Sequence, residues 1–175
     1  MPAKRSHPYA WLGSLLLIVV SASPAAQPKA KIAYEECWKI NITSARTGPI
    51  VIRSNTPGAT GEFDVQLYTH PFRWVDPAEP AAVNETFAFC RDPDSKRKGA
   101  FFLNGAELPT MAITAFGSEW PMSHYGSWKA KGEADGMVQV GINTETGAAR
   151  VILVRGKAMK RTAMLGTGQA TRLAP

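Results

Sequence analysis

The chain has 175 residues, a length for one domain or two very small ones. Its composition, 45% hydrophobic and 19% charged, excludes a disordered chain. The formal net charge of +6 is unevenly placed: residues 27–145 carry 12 Lys and Arg against 14 Asp and Glu, and residues 146–175 carry six basic residues and no acidic one. The basic balance thus belongs to the C-terminus and not to the body, so nucleic-acid binding is not suggested.

Lys4 and Arg5 precede the apolar run Trp11–Val20, which is followed by the small residues Ser21 to Ala26. This is the three-part layout of a secretory signal peptide, and the run is shorter than the roughly 20 residues a bilayer span needs. The expectation is a cleaved signal peptide over 1–26, a β-rich globular domain over 27–156 and a basic, weakly structured tail over 157–175. No transmembrane segment is expected in the mature chain, which would be periplasmic, envelope-associated or extracellular.

Export changes the meaning of the two cysteines, Cys37 and Cys90. In an oxidising compartment a pair of cysteines in one small domain reads as a disulfide, and no Cys-x-x-Cys points to metal or redox chemistry.

Trp38, Ile40 and Ile42 alternate with polar residues, which predicts a half-buried strand around Cys37. A turn is expected over 44–48, a short strand over 50–53, a loop over 54–61 and a strand over 63–68. His70–Val75 contains Pro71 and reads as an edge strand. Thr86–Cys90 alternates again and carries the second cysteine. Strands are expected over 100–103 and near 111–116, with Asn104-Gly105 as a turn signal. Residues 117–131 read as a long aromatic-rich loop, and Gly136–Ile142 with Ala149–Val154 as a hairpin. No segment holds a helical period. Many short strands at roughly ten-residue spacing predict an all-β, mainly antiparallel, single-domain sandwich or small barrel. An immunoglobulin domain does not fit, because Trp38 adjoins the first cysteine and Ala88 stands where the tyrosine corner would be.

The most unusual stretch is Gly117–Trp128, which combines Trp120, His124, Tyr125 and Trp128 with Glu119 and three serines. Aromatic rings on a Gly/Pro loop suit stacking on a sugar or other ligand, with polar neighbours giving direction. The residues expected to bind are therefore Trp120, His124, Tyr125 and Trp128. The same loop offers Glu119, His124 and Ser118, Ser123 or Ser127 to a hydrolase reading. No cofactor is implied. The mature chain has only His70 and His124, too few for a three-histidine zinc site, so no metal is expected. Arg155, Lys157, Lys160 and Arg161 could meet an anionic surface. Asn41 and Asn84 head glycosylation sequons, whose use depends on the source.

The leading expectation is an exported non-catalytic binding protein whose partner is a glycan, a small ligand or an envelope protein. The alternatives are a small secreted hydrolase using the same loop, and a structural or inhibitory protein acting by protein–protein contact through an edge near 70–75.

Overall fold

The computed structural model describes residues 34–52, 63–94, 99–129, 135–157 and 160–174. All lie within one compact unit, Ile32–Pro175. The expected signal peptide and the loop over 54–61 lie outside the described residues. Those residues form strands β1 (Glu36–Ile52), β2 (Phe72–Trp74), β3 (Glu79–Pro80), β4 (Phe87–Arg91), β5 (Gly99–Leu103), β6 (Ala106–Glu107), β7 (Ala112–Ala115), β8 (Met122–Trp128), β9 (Gly136–Ile142), β10 (Ala148–Lys157) and β11 (Lys160–Arg172). Among them there is no helix, and so none that could cross a membrane. The fold is all-β, as the alternation predicts.

The strands make one antiparallel sheet in the order β6-β5-β4-β1-β11-β10-β9-β8-β7. β1 is its spine. One side pairs along its length with β11; the other pairs in turn with β4, β3 and β2. The sheet curls into a half-barrel, bringing Phe89 of β4 to 4.5 Å from the His124 ring of β8. Cys37 faces Cys90 in the β1–β4 register, and the two are bonded with Cα atoms 4.0 Å apart.

Both faces of the sheet are buried at β8, β9 and the middle of β10. Trp38, Ile40, Ile42, Phe87, Phe89, Phe101, Val138, Val140, Val151 and Leu153 fill the concave side. On the outer side Ile152 and Val154 pack with Val65, Leu67 and Phe72 of a segment laid across the sheet. This explains why every residue of β9 is buried. A strand covered on both faces reads as a continuous apolar run rather than a strict alternation.

Four expectations change. The turn over 44–48 is absent: β1 continues through it and absorbs the irregularity as a bulge between Ile42 and Ser44. The bulge switches faces, so Ala45 joins the interior and Ile50 the outer layer. Residues 63–68 are not a strand but hold only the bridge Val65↔Phe72. Of the expected loop over 117–131, residues 122–128 are instead β8. The stretch expected as a weakly structured tail contains β11, which pairs with β1 and β10 over most of its length. Its buried positions are Gly166 and Ala170 on the concave side and Ala163 on the outer side. Such small residues carry little hydropathy signal, and they allow β1 to come close: a Cβ on Gly168 would lie 2.0 Å from the Asn41 carbonyl oxygen. The turn signal at Asn104-Gly105 holds, with φ of 52° and 80°, and joins β5 to the two-residue β6.

Candidate functional site

Register assembles the outer face row by row. Ser127 faces Met137, Tyr125 faces Gln139 and Ser123 faces Gly141 across β8 and β9. Met137 continues to Val154, Gln139 to Ile152 and Gly141 to Arg150. The segment from Asp64 to Trp74 lies over these rows. It is held by Val65–Phe72 backbone hydrogen bonds in both directions, 3.2 and 3.0 Å, and by donation from the Trp74 N–H to Asp64 Oδ2 at 2.9 Å. These bonds occupy the outer edge of β2.

An aromatic stack marks the middle of the face. The Tyr68 ring lies 4.9 Å from Tyr125 and 5.1 Å from Phe116, and the His70 ring lies 6.0 Å from Tyr125. Tyr68 has φ of 45°, unusual for a residue with a side chain. Its N–H donates to Oε1 of Gln139 at 2.9 Å, and Gln139 is only 3% exposed.

Two grooves flank the stack. One, of about 190 Å³, is lined by His70, Tyr125, Ser127, Trp128, Asp135 and Arg161, with Met111 and Lys129 at its margin. The other, about 530 Å³, runs past Asp64, Tyr68, Phe116, Glu119, Gln139 and Arg150. In the first, partial burial and then the nearby Arg161 charge lower the pKa of His70, which favours the neutral ring. Burial raises that of Tyr125, opposed by a hydrogen bond with Ser127.

The four aromatic-segment residues do not share one surface. Strand alternation separates them, because neighbours in a strand point to opposite faces. His124 is buried inside against Phe89, and burial followed by the Arg91 charge lowers its pKa to about 4. Trp120 sits over Gly141, donates from Nε1 to Glu119 at 3.1 Å and meets the Arg150 guanidinium 5.6 Å from its ring centre. Tyr125 and Trp128 are both buried, yet both reach the wall of the smaller groove. Trp128 fits because Gly136 has no side chain: a Cβ there would lie 1.8 Å from the indole.

The catalytic combination is not assembled. His124 is in the interior, Ser118 and Ser123 hydrogen-bond each other, and Glu119 pairs with Arg150 at 2.6 Å. Of the groove residues, His70 and Asp135 are not singled out for binding by the sequence, and Arg161 is singled out only for contact with an anionic surface. They come from three separate elements, so only register joins them. The basic residues at the end of β10 and start of β11 do come together: Lys157 faces Lys160, Gly156 faces Arg161, and Arg155 pairs with Glu85 at 3.7 Å. Among the described residues, Glu35, Asp92 and Asp94 bring carboxylate oxygens within 4.8 Å of one another. Two of the three are exposed, as acidic surface groups commonly are.

No protein-family description, no curated protein and no solved structure matches this chain.

Proposed function

We propose that the chain is a non-catalytic binding protein, exported to the periplasm, cell envelope or extracellular space, whose small ligand lies in the groove beside His70, Tyr125 and Trp128. The observation that carries this reading is the smaller groove itself, about 190 Å³ and lined by the stacked His70 and Tyr125 together with Asp135 and Arg161. An aromatic wall meets charged groups there, the combination that fixes and orients small ligands. The reading keeps Tyr125, on the outer face of β8, and Trp128, which packs in the interior cluster but also lines the groove, and moves the contact away from a loop platform. The hydrolase alternative loses support, because its acid, base and nucleophile lie on opposite faces or are engaged elsewhere. The edge-contact alternative loses support because Asp64 and Val65 occupy the free side of β2.

Titration of the protein with panels of small metabolites and sugars tests the reading, followed by tryptophan fluorescence and amide NMR. Binding should perturb signals of His70, Tyr125 and Trp128, and His70→Ala should weaken it with the fold intact. Binding that leaves all three residues silent would place the site elsewhere.

A further inference from the structure

We infer that the ligand of this groove is a small organic anion: a carboxylate on a flat apolar body of about one ring, with its acid group on Arg161 and its ring beside Tyr125 and His70. This rests on the groove being the binding site. Three observations narrow the class.

The first is Arg161. It is half-buried, lines the groove and has no ion-pair partner among the described residues. A guanidinium offers a rigid fork of donors matched to a carboxylate, and taking it partly out of water favours an anion beside it. Its surroundings add positive charge. Gly156 opposite it is flanked by Lys157, which faces Lys160, and Lys129 lies at the groove margin. His70, held toward its neutral form, adds no competing cation but an aromatic face.

The second is the wall. Tyr125 is fixed by burial and by its contacts with the Tyr68 and His70 rings, while Trp128, seated over Gly136 in the interior cluster, closes the groove from the other side of the sheet. Preset rings lose little freedom on binding and suit a flat apolar body. The third is size. At about 190 Å³ the groove is smaller than the roughly 300 Å³ or more of sites that enclose drug-sized ligands. An extended glycan chain does not fit it. Asp135, on the same groove, repels an acid group and can accept from a ligand hydroxyl, so the acid group is directed to Arg161.

Calorimetric titration of the protein with benzoate, benzamide and inorganic phosphate tests this, on wild type, Arg161→Gln and Arg161→Lys, each checked for folding by circular dichroism. Benzoate should bind roughly tenfold more tightly than benzamide, the scale of one charge-assisted contact. Phosphate should bind more weakly than benzoate for want of a ring. Arg161→Gln should weaken benzoate far more than benzamide and so erase the preference, and Arg161→Lys should keep part of it. Equal binding of benzoate and benzamide in wild type overturns the inference and leaves the groove reading standing. Phosphate binding as tightly as benzoate overturns the apolar body. If no probe binds or disturbs the Tyr125 and Trp128 signals, both readings fall. The wild-type comparison decides even if the glutamine variant does not fold.

Discussion

The seat of Trp128 on Gly136 makes a quantitative test of how the groove wall is held. A Cβ on residue 136 would lie 1.8 Å from Cζ2 and 2.1 Å from Cε2 of an indole that is only 7% exposed. The ring cannot swing aside without leaving the core, so Gly136→Ala should cost about 1–3 kcal/mol, the usual penalty of overpacking. Trp128→Ala alone should cost about 3–5 kcal/mol by losing buried ring contacts. With the ring gone, the alanine methyl has room. The double variant should therefore be more stable than the summed single costs imply, by about 1–3 kcal/mol. Urea unfolding followed by circular dichroism gives the three midpoints. Additivity to within about 0.5 kcal/mol would show that glycine is not required by the indole, and the account of the wall would fail.

Further outcomes follow from other sites. His124, lowered to about 4 by burial and then by Arg91, binds fewer protons folded than unfolded between about pH 4 and the unfolded value near 6.5. Its contribution is present in full above 6.5 and is lost as pH falls toward 4, by about 3 kcal/mol in all. His124→Gln should flatten that slope in pH-dependent unfolding, and an unchanged slope would remove His124 as its source. Replacing Cys37 and Cys90 by alanine opens a link with a sequence separation of 53. The loop-entropy relation gives about 4 kcal/mol, so a fall in Tm of under about 3 °C would contradict it. Gln139→Leu strands the Tyr68 N–H and should cost about 1–3 kcal/mol. It should also speed proteolysis of the 63–70 segment, and equal cleavage rates would argue that Gln139 does not hold it.

Much of the fold was legible because strong residues sat at strand period. Trp38, Ile40 and Ile42 announced β1, and Phe87 and Phe89 announced β4. What escaped had physical causes. β11 buries small residues on both faces, so its alternation is silent in hydropathy. β8 held aromatic and polar residues on both faces because both faces are covered, and that mixture resembles a loop. Alternation within β8 then placed His124 inside and Tyr125 outside, a split invisible until the segment is known to be a strand. The site was only half legible: Tyr125 and Trp128 lie close in sequence, whereas His70, Asp135 and Arg161 meet them through strand register and the overlying segment.

The pairing of β1 with β11 also sets the order in which the molecule can become whole. Their partners are about 110 to 130 positions apart, from Ile50↔Arg161 to Trp38↔Arg172. Such remote closure is entropically late and slows folding. Until β11 arrives, one long side of β1 and one of β10 stay open, with unpaired backbone ready to join another chain. The Cys37–Cys90 bond, by contrast, can form as soon as β4 exists. The molecule is thus secured early at one side of its spine and sealed late at the other. In that interval a delay would expose it to aggregation, and conditions that hasten the docking of β11 should raise the yield of folded protein more than conditions that hasten oxidation.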